Sequence, residues 1–192
     1  VNAVRTESKK QVSDVVDVLL FIDEFIKSKS ESIANIDKIM SFDSGLQTTK
    51  GVDIFENKFS FLETTKLNAS QLFDDMLNLI FNASNGTLHI ENLKGVDGEI
   101  ALRIGENEYF GVINVGDSDK LVKICEANGM SIASRDFSSS LFKTINDTTS
   151  NLNILVGSKK FSEGWSSWRV STMGLMNIGK KEGSQIIQLF GR

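Results

Sequence analysis

At 192 residues, with 40% hydrophobic and 24% charged side chains, the chain has the size and composition of an ordinary globular domain and can bury a core without disulfides or structural metal. No apolar run approaches the roughly 18 residues needed to span a bilayer, so no membrane partner is expected. One cysteine, Cys125, and one histidine, His89, exclude an internal disulfide, a His/Cys metal centre and cysteine–histidine catalysis.

The lone thiol is expected to be buried and the compartment reducing, hence cytoplasmic. The start, VNAVRTESKK, has neither an initiator Met nor the apolar core of a signal peptide, which suggests a piece of a longer chain and not an exported one. The formal net charge of −4 is unevenly spread. From Asn153 onward Lys159, Lys160, Arg169, Lys180, Lys181 and Arg192 stand against Glu163 and Glu182, a local +4 that leaves −8 on the first 152 residues. Such an excess suits an edge that faces a polyanion, and equally a solvated basic face.

In chain order, Val12, Val15, Val16, Leu19, Ile22 and Ile26 recur at helical spacing through SKKQVSDVVDVLLFIDEFIKS and predict an amphipathic helix of about 20 residues. VLLFIDEF also has the form of a buried strand delivering Asp-Glu carboxylates to magnesium. Apolar spacing continues on both sides and no Gly-rich phosphate loop precedes it, so Asp23 and Glu24 read as helix surface. SESIANIDKIMSF predicts a second helix and NASQLFDDMLNLIFNA a third, with Ser70 as its N-cap. The Gly-punctuated stretch between them, FDSGLQTTKGVDIFENKFSFLE, is ambiguous.

From Asn85 the period shortens. NGTLHIENL, GEIALRI and EYFGVINV are strand-like runs separated by turn residues. Strand and helix patterns then alternate: FGVINVGD before SDKLVKICEANG, MSIASRD before FSSSLFKTIND, NLNILVGS before a loop, and STMGLMNI before a last helix, GSQIIQLF. The pattern predicts an α/β fold with a mostly parallel sheet. It divides the chain into a helical connection or insertion at 1–84, hairpin-like antiparallel strands at 85–110, and an α/β lobe at 111–192.

Ligands of an open parallel sheet meet the carboxyl ends of its strands. Two loops fit. VGDSDK (115–120) reads as ordinary N-capping by Asp117 or Ser118. VGSKKFSEGW (156–165) asks for more. Gly157 frees the turn past the strand, backbone amides and the Ser158 hydroxyl can donate to a phosphate, and Lys159 and Lys160 supply a nonspecific field. Gly164 allows close backbone approach, while Glu163 either orients a basic group or is solvated. Trp165 and Trp168 are expected to pack this loop down in preference to stacking on bases.

The ending EGSQIIQLFGR sets Gln188, Gly191 and Arg192 as Q-x-x-G-R on a helix. Taken with the loop before it, ILVGSKKFSEGWSSWRVSTMGLMNIGKKEGSQIIQLFGR (residues 154–192) resembles motifs V and VI of the second RecA-like lobe of superfamily 2 helicases. It is most similar to the helicase subunit of type III restriction enzymes and related DEAD/DEAH-type restriction ATPases, whose motif V has the form F-x-E-G-W.

The resemblance implies nucleic-acid contacts from Gly157, Ser158, Lys159 and Lys160, and nucleotide contacts from Glu163, Gly164, Gln188, Gly191 and Arg192. Arg192, with Gln188, takes the catalytic part beside the departing phosphoryl group. ATP and Mg2+ are the implied cofactors of the intact enzyme. Double-stranded DNA, the first RecA-like lobe of the parent chain and a methyltransferase/specificity subunit are the implied partners.

The sequence departs from the family pattern in three places. Q-x-x-G-R is not followed by the second arginine of Q-x-x-G-R-x-x-R; no G-x-x-x-x-G-K-[ST] occurs; and the S-A-T tripeptide is missing. The isolated chain is therefore expected to hold no cofactor and hydrolyse no ATP. The alternative from another class is a non-catalytic nucleic-acid-binding or interaction module on the same scaffold.

Overall fold

A hairpin of two short strands, β1 (Arg5–Glu7) and β2 (Lys10–Val12), leads through Ser13 into the first helix, α1 (Asp14–Lys27). The computed structural model describes residues 5–7, 10–96, 98–136, 139–157, 167–174 and 176. Ser13 is extended, at φ −146° and ψ 124°, and its side chain accepts from the Val16 amide, so the helix starts there. The predicted helix is shorter than its apolar periodicity, because Val12 belongs to β2. Val15, Val16, Leu19, Ile22 and Ile26 form the buried stripe. Asp23 pairs with Lys27 at 2.6 Å and Glu24 accepts from the Ser28 hydroxyl, which puts both acids on the helix surface and removes the strand alternative.

Helix α2 (Lys29–Met40) follows, and after a loop come α3 (Ser60–Thr65) and α4 (Ala69–Leu79). The ambiguous loop is organised by Asp53, whose carboxylate accepts from the Ser44 amide at 2.8 Å, the Ser44 hydroxyl at 2.7 Å and the Phe55 amide at 2.9 Å. The cap of α4 is Asn68 and not Ser70. The Gln71 amide donates to Asn68 Oδ1, and the Asn68 amide donates to Gln71 Oε1, each at 3.0 Å. This reciprocal box satisfies two amides at once, which Ser70 cannot do from inside the first turn.

The sheet holds β3 (Leu88–Leu93), β4 (Glu99–Ile104), β5 (Gly111–Asn114), β6 (Ile132–Arg135) and β7 (Ile154–Gly157), with α5 (Ser118–Ala127) between β5 and β6. The strand order is β6-β3-β4-β5-β7. The α/β class holds, but the expectation of a mostly parallel sheet does not. β3, β4 and β5 form an antiparallel meander, and β6 and β7 add in parallel at its two edges. The connections 94–98 and 105–110 are hairpin links, and strands joined that way are antiparallel. Gly98 makes the first link close. At φ +71° it occupies the left-handed region, and a Cβ there would come within 3.1 Å of the Gly116 backbone.

Alternation along the strands separates two faces. Ile90, Ile100, Leu102, Ile104 and Ile113 cluster with α1, α4 and α5, where burial pushes the Cys125 thiol up to about 11, as expected of an inert core cysteine. The other face carries a smaller cluster of Val112, Ile145 and Leu152 beneath Leu141 and Phe142. The helix predicted over FSSSLFKTIND is only a 3-10 helix, Phe142–Thr144, among the described residues. At its start the buried Glu99 carboxylate takes the Ser140 hydroxyl at 2.6 Å and the Leu141 and Phe142 amides at 2.9 and 3.4 Å. Of the strand predicted over STMGLMNI, residues 171–174 and 176 adopt no regular structure. The helix predicted over GSQIIQLF lies outside the described residues.

Candidate functional site

Strands β3, β5, β6 and β7 run the same way, so their carboxyl ends share one end of the sheet. There Gly157 is the register partner of Asn114, and Asn114 of Glu99. Three residues past Asn114, Asp117 accepts from the Lys120 amide at 3.0 Å and caps α5. The loop at 115–120 therefore begins beside the carboxyl end of β7. The entry to β7 is held as firmly. Asn153 Nδ2 donates to the Leu79 and Ile80 carbonyls at 3.0 Å each, taking up the open end of α4. Asn82 Nδ2 donates to the carbonyls of Asn151 at 2.8 Å and Tyr109 at 3.2 Å.

Of the residues singled out by sequence, Gly157 stands at the carboxyl end of β7. Ser158, Lys159, Lys160, Glu163, Gly164, Trp165, Gln188, Gly191 and Arg192 lie outside the described residues. The packing expectation is overturned for Trp168, which is 98% exposed. Anchoring falls instead to its neighbour. Arg169 Nη1 donates to the Ile145 carbonyl at 2.6 Å, and Nη2 to those of Ser150 and Leu152 at 3.0 and 3.3 Å. A planar donor fork can bind several carbonyls at once, so the turn is fixed without the indole.

A second constellation is not evident from sequence. On the sheet face away from the helices, a cavity of about 490 Å³ is lined by Glu91, Arg103, Tyr109, Ser134 and Arg135, with Glu106 at its rim. Glu91 is its centre and is buried. Arg103 Nε donates to one carboxylate oxygen at 2.6 Å, while the Tyr109 hydroxyl donates to the other at 2.5 Å and Arg135 Nη1 reaches it at 3.4 Å. Arg103 also donates to the Gly105 carbonyl and to Glu106, at 2.8 and 2.7 Å. Arg135 donates to the Tyr109 hydroxyl and lies over its ring, 5.8 Å from the centroid.

Burial alone would raise the pKa of Glu91. The Tyr109 and Arg103 hydrogen bonds and the two guanidinium charges outweigh it, and the carboxyl is held below its ordinary value of 4.5. Burial, then donation to Glu91, raises the Tyr109 phenol above 10. The site thus holds an ionised acceptor, a protonated phenol and two fixed guanidinium groups, an arrangement that orients donors and leaves Glu91 saturated as a base. The alternation LHIENL and EIALRI does carry a signal, for it sets Glu91 and Arg103 opposite an isoleucine- and leucine-rich face. Which strands bring Tyr109 and Arg135 to them is not readable from that pattern.

Among the described residues, no group of three or more His, Cys, Asp or Glu side chains could hold a metal, and no helix is long and apolar enough to cross a membrane. No protein-family model, curated protein or solved structure matches the chain.

Proposed function

We propose that the chain is the second motor lobe of an ATP-dependent DNA translocase of the restriction-helicase kind, working in the cytoplasm. The loop after β7 contacts nucleic-acid phosphates through Gly157, Ser158, Lys159 and Lys160. Gln188 and Arg192 face ATP and Mg2+ held by a first lobe, with Glu163, Gly164 and Gly191 shaping that boundary. Double-stranded DNA is the track, and a methyltransferase/specificity subunit is the further partner.

One observation supports the reading: the Asn114–Gly157 register sets the carboxyl end of β7, four residues before F-S-E-G-W in sequence, beside a helix-opening loop at the carboxyl end of parallel strands. That is where a sheet of this kind offers amides to anions. The antiparallel meander at the sheet centre favours a second reading, a non-catalytic nucleic-acid-binding or interaction module, because it departs from the parallel order of a motor lobe.

Two measurements test the proposal. Replacing both Lys159 and Lys160 with alanine is expected to flatten the log–log salt dependence of duplex DNA binding by nearly two ions. An identical slope would remove both lysines from the phosphate contacts. The 192-residue chain alone is expected to turn over no ATP with or without DNA, since it supplies no phosphate loop. Turnover that co-purifies with the chain through successive columns would overturn the division of labour between lobes.

A further inference from the structure

We propose that Asn85 is a site of spontaneous deamidation, and that the fold opens this one of its two Asn-Gly pairs to the reaction while closing the other. The pairs are Asn85-Gly86, ahead of β3, and Asn128-Gly129, at the end of α5. All four residues are exposed, so access to solvent does not separate them.

The chemistry sets what must be free. The main-chain nitrogen of the glycine loses its proton to base and attacks the asparagine Cγ. A C–N bond forms, the side-chain nitrogen leaves as ammonia, and a cyclic succinimide remains. Water then opens the ring at either carbonyl, giving aspartate or isoaspartate, so the net change is water taken up and ammonia released. The reaction therefore needs a glycine amide whose proton is available and an asparagine side chain free to turn onto it. A hydrogen bond from either group to a carbonyl opposes it.

Asn128 and its glycine are both engaged. The Gly129 amide donates to the Glu126 carbonyl at 2.9 Å, and Asn128 Nδ2 donates to the Ile124 carbonyl at 2.8 Å, within the turn that closes α5. Asn85 Nδ2 reaches its neighbour's Ser84 hydroxyl at 3.4 Å, and among the described residues nothing accepts from the Gly86 amide. The fold also requires glycine there. Gly86 has φ +130°, and a Cβ would stand 2.8 Å from Ile104 Cγ2. The labile pair is thus a consequence of the close approach that begins the β3–β4 pairing. Isoaspartate at 85 inserts a methylene into the main chain two residues before Thr87, whose carbonyl accepts from the Gly105 amide at 2.9 Å. Either product adds a negative charge at the edge of that pairing.

The test incubates the 192-residue chain at mildly alkaline pH, folded and in urea, and follows the peptides bearing each pair by mass spectrometry. In the folded chain the Asn85 peptide is expected to convert to aspartate and isoaspartate forms at least about tenfold faster than the Asn128 peptide, because Asn128 reacts only after its cap opens locally. The rate is expected to rise with pH. In urea the two rates are expected to converge. Asn85→Gln is expected to abolish the acidic form of the folded chain on ion exchange and to leave conversion at Asn128 unchanged. Equal folded rates, faster conversion at Asn128, or an Asn85 peptide that stays intact in the folded chain while converting in urea would each overturn the proposal. A difference that persists in urea assigns it to flanking sequence and overturns the structural protection as well.

Discussion

Replacing Arg192 with alanine in a protein that carries both lobes is expected to lower kcat for ATP by about a thousandfold and to change nucleotide affinity little. The size follows from timing. Negative charge spreads over the departing γ-phosphoryl oxygens in the transition state, so a guanidinium aimed there contributes more to that state than to bound ATP. Lysine at the same position is expected to restore only part of the rate, because a compact ammonium cannot match two oxygens as the planar fork does. Single-turnover hydrolysis, with nucleotide affinity measured separately, gives the decisive comparison. An unchanged kcat would remove Arg192 from the catalytic part and favour the interaction-module reading.

Glu91→Ala is expected to be the most destabilising single change in the described core of charged residues. It strips the acceptor from Arg103, whose side chain is 16% exposed, and from the Tyr109 hydroxyl. Arg103 keeps Glu106 and the Gly105 carbonyl through Nη1, so the cost is that of two mostly buried donors left without this acceptor, about 2 kcal/mol, which for a chain of this length lowers Tm by roughly 6 °C. Arg135→Ala is the contrast. That side chain is 58% exposed and reaches Glu91 only at 3.4 Å, so its loss is expected to cost less than about 1 kcal/mol. Urea denaturation of the two variants side by side checks the ranking, and equal midpoints would show that Glu91 is not the keystone of the cluster.

The same carboxylate sets an acid limb. Its folded pKa lies below the ordinary 4.5, so the folded state binds this proton less readily than the unfolded chain does. The stability contributed by ionised Glu91 is therefore full above pH 4.5 and is lost as the pH falls through the folded pKa. Glu91→Gln is expected to flatten the stability profile below pH 4.5 and leave its shape near neutrality unchanged.

Local pattern carries a good part of the architecture. The apolar stripe of α1, the helical spacing behind α2 and α4, the strand runs of β3 to β7 and the Asp117 cap of α5 depend on neighbours within a few residues, and all are legible in the order of amino acids. Pattern misleads where one local signal competes with another, as when Asn68 outcompetes Ser70 by binding reciprocally with Gln71. It also misleads where the deciding partner is distant in the chain. Nothing in FSSSLFKTIND announces that Glu99, some forty residues earlier, will accept from the Ser140 hydroxyl and the Leu141 and Phe142 amides.

The candidate sites divide in the same way. Which residues have the chemistry is written in the chain: a Gly-Ser-Lys-Lys loop after an apolar strand, an arginine-bearing terminal segment, and alternating polar positions on β3 and β4. Folding alone establishes that the sheet is mixed, that Glu91 gathers Arg103, Tyr109 and Arg135 from three other places in the chain, and that Arg169 holds its turn while Trp168 faces solvent. The physical reason is that periodicity records which face of an element is apolar. Strand partners, and the side chains they bring within hydrogen-bonding distance, are settled by the global competition for buried area and satisfied polar groups.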